Sequence, residues 1–200
     1  MRFCRSQGLV PGLLVAATLA GVLAPGAVPA EAQNAAKAKA ASKLIETGEG
    51  SAALPIPVAE MRDAIMAAAR SGNLAELLIP IQWNELPPDF GELSIKKTLA
   101  KWRSETSDGS GRHMLAVLLD LLEQPYAVLR QGRDVENAKI YIWPAFAELD
   151  LKKLSPSQDV AFYRLVPGAD GLRMKAAGKY DGWAMAIGAD GTWHAFRRRR

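Results

Sequence analysis

The segment Arg112–Glu123 constrains the fold more than any other part of this chain. Met114, Leu115, Val117, Leu118, Leu119, Leu121 and Leu122 cover most of the circumference of a helix, leaving His113, Ala116, Asp120 and Gln124 as a narrow solvated stripe. A helix that is apolar nearly all round is stable in water only when other elements wrap it, so this segment is expected at the centre of the fold. Ser107-Asp108-Gly109-Ser110-Gly111 reads as the flexible turn that feeds it, and Pro125 ends it.

The flanking sequence supplies the wrapping layers. Val58, Met61, Ile65 and Ala68 recur at helical spacing from a start at Pro57 or Val58. Ser71-Gly72-Asn73 breaks that helix, and Leu74, Leu77, Leu78 and Ile81 predict a second one, together a helical hairpin. Pro87-Pro88-Asp89-Phe90-Gly91 reads as a rigid loop, and Ser94 as the cap of a helix that puts Ile95, Leu99 and Trp102 on one face. Tyr126–Arg130 and Lys139–Trp143 read as strands, with Gln131-Gly132-Arg133-Asp134 starting their connection. Ser155-Pro156-Ser157-Gln158 has the cap, first-turn proline and third-position glutamine of a capping box. A short helix over Asp170–Ala177 should end at Gly178. Last, Tyr180–Ile187 and Thr192–Phe196 alternate around Ala189-Asp190-Gly191. With Gly191 left-handed, Ile187 should face Trp193 and Met185 should face Ala195. The fold class is therefore α+β: an N-terminal helical hairpin and a buried central helix packed with a small antiparallel sheet that ends in a C-terminal β-hairpin.

The start of the chain reads differently. Arg2 and Arg5 precede an apolar run from Leu9 to Ala24, which is followed by small residues offering cleavage after Ala30 or Ala32. Those are the three parts of a secretory signal peptide. The run is shorter than the ~20 strongly apolar residues of a membrane span and is broken by Pro11, Gly12, Gly21 and Pro25. The expected organisation is a signal peptide over 1–30, a flexible leader rich in Ala, Lys and Gly over 31–54, one domain over 55–196, and an arginine tail over 197–200 lying in solvent. Cys4 goes with the signal, so disulfides, thiol nucleophiles and cysteine-based metal sites are excluded from the mature chain. Loss of Arg2 and Arg5 also lowers the formal charge of +4 by two, and Arg197–Arg200 hold four of the positive charges that remain. The pI near 9.3 thus reflects the ends of the chain, and no nucleic-acid partner is expected. Location in a periplasm or outside the cell, without a stable membrane span after cleavage, is the expectation.

Motifs for chemistry are sparse. The sequence has no Gly-x-Ser-x-Gly elbow, His-Glu-x-x-His pair, phosphate-binding loop or dinucleotide fingerprint. Two histidines cannot make a four-ligand zinc site, and the Asp-Gly pairs at Asp108, Asp170, Asp181 and Asp190 lack the alternating oxygen ligands of a calcium loop, so no metal and no cofactor is expected. His113 and Asp120 lie two helical turns (~10 Å) apart, too far to act as a dyad. The candidate ligand site is Gly109, Ser110, Gly111, Arg112 and His113, where glycines and free N–H groups at a helix start, with two cationic donors, are the ingredients of an anion site. Trp143 and Trp193 are the candidates for an exposed aromatic platform.

From Val58 onward the chain resembles a family of exported proteobacterial proteins without an assigned activity. The likeness lies in Leu86-Pro87-Pro88-Asp89-Phe90-Gly91, Tyr141-Ile142-Trp143-Pro144-Ala145-Phe146-Ala147, Leu154-Ser155-Pro156-Ser157-Gln158 and Gly188-Ala189-Asp190-Gly191-Thr192-Trp193. It implies an envelope location and no catalytic residues; the arginine-rich ending departs from the pattern. The sequence thus favours a non-enzymatic binding or interaction module for an envelope protein or polymer, of open oligomeric state. The alternatives are a small hydrolase using Asp/Glu carboxylates brought together from distant segments, and a structural partner in an envelope complex. Mass spectrometry of the exported product should find the mature chain starting at Glu31 or Gln33; an uncleaved, membrane-bound product would overturn the signal-peptide reading.

Overall fold

A computed structural model describes residues 45–92, 94–130 and 139–199. In chain order these form β1 (Glu46–Gly48), α1 (Ile56–Arg70), a 3-10 turn over Leu74–Leu77 that continues into α2 (Leu78–Gln82), α3 (Ile95–Ser104) and α4 (Arg112–Leu122). There follow β2 (Tyr126–Arg130), β3 (Lys139–Trp143), α5 (Pro156–Leu165), α6 (Gly168–Ala177), β4 (Trp183–Gly188) and β5 (Trp193–Arg198). The five strands make one antiparallel sheet in the order β1-β2-β3-β4-β5. The architecture is α+β, with the helices of the N-terminal half against one face of a small sheet that closes in a C-terminal hairpin. The signal segment 1–30, leader residues 31–44, the connection Gln131–Asp134 and Arg200 lie outside the described residues.

The apolar helix is central. Met114, Leu115, Leu118, Leu121 and Leu122 of α4 are buried, while His113, Ala116 and Asp120 face solvent along the expected stripe. The same core takes Val58, Met61 and Ile65 from α1, Leu74 and Leu77 from the turn after it, and Tyr126, Val128, Tyr141, Trp143, Met185 and Ile187 from the sheet. Arg62 joins the two long helices: its Nε and Nη2 donate to the Leu122 carbonyl at 3.2 and 2.9 Å, placing a cation at the C-terminal end of α4, where the helix dipole favours it. A second, smaller core of Phe146, Leu151, Phe162, Met174 and Tyr180 forms where α5 and α6 fold beside the end of the sheet. The Ser155 capping box that starts α5 is present in full.

Three sequence expectations change. The sequence places the leader over 31–54, yet Glu46–Gly48 pairs with β2. Three residues carry no periodicity, and the pairing comes from the open edge of β2, aided by an Arg130–Glu46 ion pair at 3.4 Å and by Gly48, whose missing side chain admits the Tyr126 ring. The sequence places a solvated arginine tail from Arg197, yet Arg197 and Arg198 complete β5. In the hairpin, Ile187 faces Trp193 as expected, but a bulge leaves His194 unpaired, so Ala186 faces Ala195 and Met185 faces Phe196. An extra residue reverses facing from that point on. Trp193 and Phe196 consequently both turn into the core, and both are fully buried.

The outer edge of β5 is sealed by the loop after α2. The Asn84 side-chain amide donates to the Trp193 carbonyl at 2.8 Å while its carbonyl oxygen accepts from the Trp193 N–H at 3.1 Å, so one side chain stands in for a neighbouring strand. Further along, Asp89 N–H donates to the His194 carbonyl at 2.8 Å and Phe196 N–H donates to the Asp89 carbonyl at 3.0 Å. Unpaired strand edges invite aggregation, and this edge is covered from 193 to 196. Replacing Asn84→Ala strips two bonds from half-buried backbone groups and should destabilise the fold by about 1–3 kcal/mol in urea unfolding, with raised aggregation near the midpoint.

Candidate functional site

The sequence-derived candidates do not come together. The loop Gly109–His113 is built for its own closure. Gly109 and Gly111 have φ of 65° and 68°, Ser110 N–H donates to Asp108 Oδ1 at 3.0 Å, Gly111 N–H to Thr106 Oγ1 at 3.0 Å, and Arg112 N–H to Ser110 Oγ at 3.2 Å. The N–H groups that would hold an anion are thus used within the loop. Asp108 already occupies the negative place: hydrogen bonds from Ser110, with the nearby charge of Arg112, hold its carboxyl below the usual carboxylate range. Arg112 lies 3.6 Å from Asp108 and donates to the Gly72 carbonyl at 3.3 Å, and His113 rests 3.2 Å from Glu105. Gly111 is required for packing as well as for its φ, because a Cβ there would come within 2.9 Å of Leu74.

Trp143 and Trp193 are not an exposed platform: both are fully buried. Trp143 packs on Tyr126 at 5.3 Å, and Trp193 meets Phe90 edge-on at 5.2 Å with its indole N–H donating to the Ala195 carbonyl at 3.2 Å. Asp170-Gly171 lies in the first turn of α6, whereas Asp190-Gly191 is a turn: the amide and hydroxyl of Thr192 donate to Asp190 at 2.9 and 3.0 Å, and Gly191 takes φ 86°. Partial burial works to raise the Asp190 pKa, but those bonds and the charge of His194 hold it below the ordinary value. Among the described residues no group of three His, Cys, Asp or Glu side chains gathers to hold a metal, and no helix is long and apolar enough to cross a membrane.

What the fold does assemble is a cationic groove at the end of the C-terminal hairpin. A cavity of about 850 Å³ opens between α3, the Phe90–Gly91 loop and the last residues of β5. Five cationic side chains line it, Lys101, Lys179, Arg197, Arg198 and Arg199, against one carboxylate, Glu105. The elements that place them are far apart in sequence: α3 presents Lys101 on the turn next to buried Trp102, with Glu105 capping its C-terminal end, and β5 runs on past Phe196 to carry Arg197 and Arg198, with Arg199 directly after it.

Most of these cations are braced by carboxylates outside the groove wall. Lys101 pairs with Glu92 at 2.8 Å, Arg197 with Asp89 at 3.1 Å, and Arg199 with Glu148 at 2.5 Å, while also donating to the Ala147 carbonyl at 3.2 Å. The Lys101 bond and charge hold Glu92 below the usual carboxylate range, and Glu92 in turn raises Lys101, so that ammonium remains charged well above neutral pH. The Lys101–Glu92 and Arg197–Asp89 pairs stand in solvent, and pairs of this kind contribute about 0–1 kcal/mol each, weak enough for an incoming anion to share the cation; Glu148 is largely covered. Arg198 is different. Among the described residues it has no carboxylate within ion-pair distance; its guanidinium lies over the Trp183 ring at 5.7 Å. That ring is stacked on Phe196 at 4.8 Å, Phe196 meets Trp102 at 5.6 Å, Trp102 meets Phe90 at 5.4 Å, and Phe90 meets Trp193 at 5.2 Å. A continuous line of rings thus runs from the buried hairpin to the groove and holds one guanidinium in place by cation–π attraction.

Carboxylates also converge from distant segments. Glu49, Asp120 and Glu123 line a depression of about 450 Å³ with Arg164. All three stand in solvent, and Glu123 lies 3.6 Å from Arg70. Division of acid and base roles between two carboxylates needs unlike environments, one dry and one polar, and these share one. Comparison of the chain with family models, with curated proteins and with solved structures finds no match.

Of the sequence-derived candidates, His113 alone contacts a charged groove residue, through Glu105. Arg197–Arg199, Arg198 on Trp183 above all, escaped the sequence reading because a run of like charges at a chain end resembles a solvated tail. The usable signal was the alternation of Thr192–Phe196, which has no stop residue before the arginines. Gly111→Ala should lower stability by roughly 1 kcal/mol or more through its positive φ and the contact with Leu74, seen as a reduced urea midpoint. Arg112→Ala should leave stability within about 0.5 kcal/mol, as an exposed turn residue does.

Proposed function

We propose that this chain is an exported envelope protein that binds an anionic partner, a polymer or a protein bearing carboxylate or phosphate groups, without transforming it. The carrying observation is the groove in which five cations from α3, the Lys179–Tyr180 segment, β5 and Arg199 just beyond it face one carboxylate, with Arg198 held over Trp183. Guanidinium groups recognise carboxylate and phosphate through paired N–H donors, and a guanidinium already fixed on an aromatic ring loses less freedom on binding. The signal-like start, with Arg2 and Arg5 ahead of an apolar run and small residues after it, supports the envelope location. The carboxylate depression does not support a hydrolase, since its three acids share one solvated setting.

Titration of the full mature chain with inorganic polyphosphate, followed by Trp fluorescence and calorimetry, tests the reading. Binding should weaken steeply between low and physiological salt, because exposed charges are screened over about 8–10 Å. Arg198→Gln should reduce affinity on the order of tenfold with an unchanged unfolding midpoint. Absence of binding at low salt, or binding indifferent to Arg198→Gln, would sink the proposal.

A further inference from the structure

The cationic groove adjoins a second hollow, and the two meet at Tyr180, Trp183 and Arg198. This pocket of about 190 Å³ lies between α4, the turn from α5 into α6, and the start of β4. Its floor is apolar. Leu121 and Met174 are buried there, and Val117 and Leu165 are half-buried. Its other charges are exposed on the rim: Asp120, Asp170, and Arg173, which bonds Asp181 at 2.5 Å and Asp170 at 3.4 Å.

We propose that groove and pocket together take one small amphiphilic anion, with a carboxylate or phosphate head among the cations and a short aliphatic chain on the apolar floor. The inference rests on the anion-binding reading above and adds the apolar half of the ligand. Charge sets the orientation: a negative head is repelled by Asp120 at the pocket rim, where Asp170 and Arg173 pair with each other, and attracted by Arg198 on the groove side, whose guanidinium rests on the Trp183 ring. Arg198 stands at the junction, so a head bonded to it leaves its chain beside the pocket mouth. Trp183 serves as the support of that guanidinium, with Phe196 stacked on the ring and Arg198 over it, rather than as an open platform for a sugar. The pocket volume, on the order of six water molecules, suits a chain of roughly four to six carbons.

Calorimetry on the mature chain with methyl phosphate and hexyl phosphate tests this, both ligands being monomeric in solution. Each methylene buried should tighten binding by roughly fourfold, so hexyl phosphate should bind at least about tenfold more tightly than methyl phosphate. Val117→Trp, which fills the pocket from α4, should bring the ratio of the two affinities close to one, and hexanoate should show the same preference over acetate. Equal affinities for the two phosphates overturn the amphiphile while polyphosphate binding keeps the anion-binding reading; loss of all anion binding overturns both. A chain-length preference that survives Val117→Trp places the tail elsewhere and overturns this site. Binding to phosphatidylglycerol vesicles without binding of hexyl phosphate identifies a membrane-facing patch and overturns it as well.

Discussion

The sealing of β5 by the loop after α2 is the contact on which the C-terminal half of this molecule depends. Asn84 supplies a donor and an acceptor to one residue of the strand, and Asp89 supplies them to the next stretch. These bonds do more than cover an edge. They bring Phe90 between Trp193 and Trp102, which completes the line of rings, and they put Asp89 beside Arg197. The same loop residues therefore tie the hairpin to the helical layer and form one wall of the cationic groove.

The bulge at His194 is the second constraint. A regular hairpin would have sent Trp193 and Phe196 to opposite faces, leaving one of two large rings exposed. With one residue left over, both enter the core, and Arg198 follows Phe196 onto the face of Trp183. The extra residue displaces the ladder at one point and places a bulky pair inside. Burial of the second ring, worth about 1.5–3 kcal/mol, outweighs the single local defect, since one strand hydrogen bond contributes about 0.5–1.5 kcal/mol.

Much of the scaffold was legible. The α4 segment announced its own burial because no polar face was wide enough to meet water, and its solvated stripe was placed correctly from spacing alone. The strands Tyr126–Arg130 and Lys139–Trp143, the Ser94 and Ser155 caps and the Ile187–Trp193 pair all follow from local chemistry. The candidate site was hardly legible. The loop Gly109–His113 has the composition of an anion site, but Asp108 and Thr106, its own neighbours, satisfy its donors. Trp143 and Trp193 looked free to face solvent because strand alternation does not say whether a second layer covers a face. Short β1 could not be seen at all, since its only cause is the open edge of β2.

The residues by themselves determined the helical and strand segments, their caps and turns, the α+β class and the central position of Arg112–Leu122. All of these are decided by interactions within a few residues or by a hydrophobic pattern with a fixed period. Only the tertiary structure decided that Arg197 and Arg198 complete a strand, that Asn84 and Asp89 close its edge, and that Lys101, Lys179 and Arg198 face one cavity. Those outcomes depend on distant segments meeting in space, Asn84 and Trp193 being 109 residues apart. Pairing across such a distance is set by how whole layers pack, and no local rule carries that information.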